Sequence, residues 1–156
     1  MAGWQLAQLN VARLRYPLDD DRTAGFVDAL DPINALAESS PGFVWRLVDD
    51  DGQSSSYVEL PGDRGSDPLF VINLSVWETP EQLREFVFGT QHRDFLRRRA
   101  EWFESFDGVY TVCWWVSPGH EPTAAEALDR LDRLDAEGSS GEAFPFRPPF
   151  PAPPNS

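Results

Sequence analysis

Residues 69–77, Leu-Phe-Val-Ile-Asn-Leu-Ser-Val-Trp, alternate without interruption, with Phe70, Ile72, Leu74 and Val76 on one side and Val71, Asn73, Ser75 and Trp77 on the other. Period-two alternation of that length marks a β-strand. Neither side is polar enough to lie open to water. Tyr110–Val116 is so rich in Val, Trp and Tyr that it reads as a second, largely buried strand. Trp4–Arg13 sets Leu6, Gln8 and Asn10 against Ala7, Leu9 and Val11, and Phe43–Val48 alternates again. Asp49-Asp50-Asp51-Gly52 is a turn signal, predicted to close a hairpin with a short strand near Tyr57.

Helical signals fall between these strands. Asp19, Asp20 and Asp21 precede Phe26, Leu30 and Ile33, and acidic residues face the partial positive charge of a helix N-terminus. Pro32, following Asp31, allows this helix to break and restart, and Ser39-Ser40-Pro41-Gly42 ends it. Thr79-Pro80-Glu81-Gln82 is a capping box with proline at the first helical position. Gly89 and Thr90 are expected to interrupt the helix that follows, leaving a second piece from about Gln91 to Phe103 with His92, Phe95, Arg99 and Trp102 on one face. Thr123–Glu126 caps a helix carrying Ala127, Leu128, Leu131 and Leu134, which Gly138 ends. Phe144–Pro154 alternates Phe with Pro and favours an extended arm, which is either a disordered tail or an ordered one that buries its phenylalanines.

The order β-α-β-(β)-β-α-β-α fits an α+β fold, a ferredoxin-like antiparallel sheet with helices on one face. Residues 1–143 are expected to form the single domain and 144–156 the Phe/Pro-rich arm. If Leu9, Ile72, Leu74 and Val112 face the helices, the other face presents Gln8, Asn10, Arg46, Asn73, Ser75, Trp77, Cys113 and Trp115. Such a face needs cover, and a second copy packed sheet to sheet, as in a dimeric α/β barrel, is the economical solution.

Composition narrows the chemistry. The 156 residues carry 13 basic and 26 acidic side chains, a net charge of -13 that repels nucleic acid and anionic membranes. All the basic residues are arginines, so lysine Schiff-base chemistry and a lysine phosphate loop are excluded. The lone Cys113 excludes an internal disulfide and a zinc-thiolate centre. No apolar stretch is long enough to span a bilayer, and Trp4 and Gln5 stand where a signal peptide would be basic, so a cytoplasmic protein is expected. Nucleophile-elbow, dinucleotide-binding and zinc-protease motifs are missing from the sequence.

His92 is the candidate catalytic residue, because an imidazole with a pKa near 6.5 can move protons at neutral pH. Arg46, Asn73, Trp77, Phe95, Arg99, Trp102 and Trp115 are the candidate substrate-binding residues. Each has a structural alternative: a buried histidine bonded to a carbonyl, Arg46 in an ion pair with an acidic residue of a partner copy, tryptophans in the core. Gln8, Asn10, Asn73 and Ser75 could orient a ligand or knit an interface. His120, in the loop after Pro118-Gly119, is expected at the surface. The acidic triplets at Asp19–Asp21 and Asp49–Asp51 lack the spacing of a calcium loop, and no metal site is expected.

Trp4-Gln5-Leu6-Ala7-Gln8-Leu9-Asn10, Ser40-Pro41-Gly42-Phe43-Val44-Trp45-Arg46-Leu47, Asn73-Leu74-Ser75-Val76-Trp77, the His92–Phe103 helix and Trp114-Trp115-Val116 with Gly119-His120 together resemble a bacterial domain-of-unknown-function family. That family is assigned to the dimeric α/β-barrel superfamily, alongside antibiotic-biosynthesis monooxygenases. The resemblance covers about residues 4 to 150 and implies fold and homodimerisation more than chemistry.

Three functions are therefore open. The first is a small-molecule enzyme, a cofactor-independent monooxygenase or related isomerase- or cyclase-like tailoring enzyme on an aromatic or polyketide-like substrate. There His92 would remove an acidic proton, and Asn73 or Trp77 would stabilise the anion. The second is a non-catalytic ligand-binding or interaction dimer. The third is haem binding through His92, the one cofactor reading entertained.

Overall fold

A computed structural model describes residues 3–48, 58, 60–89, 97–104, 109–146 and 150–153. Its strands are β1 (Gln5–Arg13), β2 (Phe43–Arg46), β3 (Phe70–Trp77) and β4 (Thr111–Val116), joined in one sheet of order β2-β3-β1-β4. Every neighbouring pair is antiparallel. With helix α1 (Ala24–Glu38) between β1 and β2, and α2 (Pro80–Val87) and the short α3 (Arg99–Trp102) between β3 and β4, this is the ferredoxin-like α+β arrangement. Helix α4 (Ala124–Glu137) follows β4.

The alternation of β1 sorts the sheet into two faces. Ala7, Leu9 and Val11 join Ile72, Leu74, Val76, Val112, Trp114 and Val116 against Ala127, Leu128, Leu131 and Leu134 of α4. Each of those buried leucines contributes roughly 1.5–3 kcal/mol. The opposite face carries two separate apolar clusters. Leu6, Trp77 and Cys113 pack with Ala37 of α1, Leu83 of α2 and Phe144. Leu14 and Val71 pack with Phe26 of α1 and Trp102 of α3. Gly25 makes the second cluster possible, since a Cβ there would lie 3.1 Å from the Trp102 ring.

The fold class expected from the sequence is present, but the distribution of helices needs correcting. The crossover helices α1 and α2 share one face as expected, whereas α4 covers the other, because its leucine stripe needs the apolar surface of Leu9, Leu74 and Val112. The face expected to lie open is the one under α1, α2 and the C-terminal arm. The apolar parts of the face on which a face-to-face dimer was expected are covered within this chain by α1, α2, α3 and the arm, while Asn10 and Asn73 on that face are exposed.

Capping follows the sequence closely. Thr79 accepts from the Gln82 amide and Thr123 from the Glu126 amide, while Asp20 caps the short 3-10 turn Asp21–Thr23 ahead of α1. Gly42, at φ 85°, turns the chain from α1 into β2 where Gln82 leaves no room for a Cβ. Helix α1 does not break at Pro32. That residue is exposed, and water can take the hydrogen bond its missing N–H forfeits.

The arm is built into the fold. Cys113 and Phe144 exchange both backbone hydrogen bonds, so Phe144 extends the sheet beyond β4 and its ring is fully buried. Phe146 and Phe150 pack on the same cluster, and Trp115 Nε1 donates to the Phe150 carbonyl at 3.0 Å. The expected hairpin after Asp49 lies outside the described residues, as does the first part of the Gln91–Phe103 piece.

Candidate functional site

Between the two apolar clusters the sheet face turns polar. Along β3, Val71 belongs to one cluster and Trp77 to the other, with Asn73 and Ser75 in between; along β1, Gln8 and Asn10 occupy the matching rows. Register makes Gln8 the direct neighbour of Ser75, and Arg46 the neighbour of Ser75 on the other side.

These side chains form one network. Gln8 Nε2 donates to Ser75 Oγ at 2.7 Å and to Asn73 Oδ1 at 2.9 Å. Trp77 Nε1 donates to the same Ser75 Oγ at 2.9 Å. Both lone pairs of the serine are thereby occupied, and its O–H remains to donate. With its oxygen engaged, Asn73 offers its amide N–H groups. Gln8 and Ser75 are 5% and 7% exposed while Asn73 is exposed, so the strip runs from solvent at Asn73 to a dry end at Ser75 and Trp77. Asn10, in the Asn73 row, is tied to Thr111 at 2.9 Å.

Arg46 reaches from β2 to the last turn of α1, where its Nε donates to Glu38 at 3.1 Å. The acidic partner expected from another copy is thus Glu38 of the same chain. The side chain is 20% exposed, and its Nη1 is buried without an acceptor among the described residues.

Among the other expected site residues, Trp77 is 1% exposed, with Phe86 stacked at 5.2 Å and Phe43 edge-on at 5.5 Å, so it reaches the strip through its N–H. Trp115 holds the arm. Trp102 is buried beside Phe26, with the Arg98 guanidinium 4.7 Å from its ring centroid. Arg99 is exposed and lies over Tyr110 at 5.8 Å. His92 and Phe95 lie outside the described residues. His120 pairs with Glu126 Oε1 at 2.8 Å, and Glu126 Oε2 accepts from Trp114 Nε1.

The structure brings Arg46, Asn73 and Trp77 into neighbouring positions around Gln8 and Ser75; Trp115 packs against the same apolar cluster as Trp77, where it holds the arm, and Arg99 and Trp102 lie in other surroundings. Glu38 escaped sequence reasoning. Its signal was the four-residue turn 39–42, which returns β2 alongside the end of α1. A shallow groove of about 320 Å³ lies elsewhere, between α1 and α2, lined by Leu36, Ser40, Pro41, Gln82, Glu85 and Phe86. Burial pushes the Cys113 thiol up to about 12, which removes it from nucleophilic chemistry at neutral pH. Among the described residues no group of three or more His, Cys, Asp or Glu is placed to hold a metal, and no helix is long and apolar enough to cross a membrane.

Chemically, the strip sets hydroxyl, amide and guanidinium donors on a sheet face flanked by aromatic rings. Preorganised donors with poor access to water favour a ligand oxygen that carries or gains negative charge.

Residues 5–156 match the family described as "Domain of unknown function (DUF3291)", and the chain belongs to that family. The resemblance read from the sequence to a family of that kind is borne out. No curated protein matches the sequence. Among solved structures, the chain is similar to PA3566 from Pseudomonas aeruginosa, with 8% identity, a TM-score of 0.49 and coverage of 77% of this chain and 99% of that one. NE2512, a protein of unknown function from Nitrosomonas europaea, gives 11%, 0.48, 79% and 97% in the same order. SnoaB, a cofactor-independent oxygenase from Streptomyces nogalater, gives 12%, 0.46, 76% and 97%.

Proposed function

We propose that this DUF3291 member is a small-molecule enzyme that holds an aromatic or polyketide-like phenol or enol against the Gln8–Asn73–Ser75–Trp77 strip and acts on its anion as a cofactor-independent monooxygenase. The observation that carries this reading is the double donation onto Ser75 Oγ, which leaves a serine O–H at the dry end of a strip flanked by aromatic clusters. A ligand oxygen becoming an enolate at that point gains a hydrogen bond that strengthens with its charge. His92 is the proposed base.

Loss of a C–H proton to the base leaves a carbanion delocalised onto the ligand oxygen. Its electron pair forms a bond from carbon to dioxygen, and the resulting peroxide takes up a proton. Loss of water then turns the original CH2 into a carbonyl, with one oxygen atom in the product and the other in water.

Anthrone is a suitable probe, since its CH2 is acidified by two rings and a ketone. Oxygen uptake of one mole per mole of anthraquinone, above the spontaneous rate and lost in His92→Ala with thermal stability retained, is expected. Saturable anthrone binding with no enzymatic oxygen uptake would replace this reading with the ligand-binding one. A Soret band on adding haem, lost in His92→Ala, would replace it with the haem one.

A further inference from the structure

Arg46 and Ser75 are Cα partners on β2 and β3; Arg46 Nη1 has no acceptor among the described residues, and Ser75 Oγ already accepts twice, which leaves its O–H to donate. Side chains opposite each other on one sheet face stand about 5 Å apart at Cβ, within reach of a single carboxylate. A buried guanidinium N–H with no acceptor is costly to the folded protein, and an oxyanion is the group that relieves it most fully. The surroundings are otherwise hostile to anions, because the chain carries a net charge of -13. Glu38 engages Arg46 only through Nε and is half exposed, so it neutralises the guanidinium incompletely.

We propose that Arg46 Nη1 and the Ser75 hydroxyl form an anion-selecting subsite that takes the carboxylate of an aromatic acid, with Glu38 positioning Arg46 and competing for its charge. This rests on the ligand site of the preceding subsection and names the class of molecule that enters it. Glu38 sets the strength of the subsite: a fixed negative charge beside the guanidinium weakens its hold on a second carboxylate.

The test uses the full chain with 2-naphthoate and its neutral counterpart 2-naphthamide, titrated by calorimetry against wild type, Arg46→Gln and Glu38→Gln. Naphthoate is expected to bind at least tenfold more tightly than naphthamide. Arg46→Gln should remove that preference by weakening naphthoate more than naphthamide, and Glu38→Gln should tighten naphthoate severalfold. Melting curves identify a variant that has failed to fold. In that case the Arg46→Met protein, which keeps the apolar stem but not the charge, decides by the same loss of preference. Equal binding of the two probes to wild type, or a preference that survives Arg46→Gln, overturns the subsite but leaves the ligand site intact. Failure of both probes to bind overturns the subsite and the ligand site together.

Discussion

Trp77 Nε1 donates to Ser75 Oγ at 2.9 Å, and the same oxygen accepts from Gln8 at 2.7 Å. A tryptophan that would otherwise bury an unsatisfied N–H is thereby joined to the polar strip. Ser75→Ala strands that indole N–H and should cost roughly 1–3 kcal/mol in urea denaturation. In the Trp77→Phe background the same change should cost less, and the difference in a double-mutant cycle measures the coupling. Equal costs in both backgrounds would show that the two groups are independent.

The C-terminal arm should behave as part of the core. Phe144 is fully buried and stacks on Phe150 at 5.6 Å. Phe144→Ala should cost roughly 3–5 kcal/mol, and Phe150→Ala less, because Phe150 is only partly buried. Trp115, bonded to the Phe150 carbonyl, supplies a fluorescence readout of arm detachment. A Phe144→Ala protein with an unchanged denaturation midpoint would place the arm outside the folded unit.

Acid should destabilise the fold through identifiable carboxylates. The Arg22 side chain, and then its backbone amide, hold Asp20 down to about 2. The Leu69 backbone amide and Arg13 hold Asp67 below its ordinary value. Since both are lower in the folded state than in the unfolded chain, the unfolded chain binds more protons in this range. Their stabilising contribution is therefore complete above about pH 5 and lost as pH falls toward 2. Urea midpoints measured across that interval should fall more shallowly in Asp20→Asn. An identical acid dependence in that variant would exclude Asp20 as a contributor.

Cys113 is 1% exposed, and its thiol is raised to about 12 by burial. Labelling by Ellman's reagent at about pH 8 should proceed at the rate of unfolding, and sharply faster in urea. Rapid stoichiometric labelling of the native protein would show a reactive thiolate that the structure does not contain.

Much of the fold was legible because its signals are local. Alternation through Leu69–Trp77 and the Thr79 and Thr123 caps need only neighbouring residues, and the structure reproduces them. The side chosen by α4 was not legible. Its leucine stripe declares a buried face but not which of two apolar sheet faces receives it. The place of the arm was hidden for a related reason: Phe144 needs a partner edge, and β4 becomes an edge only once the strand order is known. At the site, the residue types of the strip were readable from period two, whereas the bonds onto Ser75 depend on the register of β1 against β3. Trp115 illustrates the limit, since an indole offered for stacking holds a backbone carbonyl more than thirty residues away.

On the proposed reading, ligand binds on the strip beneath α1 and α2 and not in the outer groove between them. Mapping 15N–1H chemical-shift changes on adding 2-naphthol tests this most directly, because the reporting groups differ. Shifts centred on the Trp77 indole and the Gln8 and Asn73 side-chain amides are expected, abolished in Ser75→Ala at concentrations that saturate the wild type. Shifts confined to Gln82, Glu85 and Phe86 of the groove, or none at all, would contradict it.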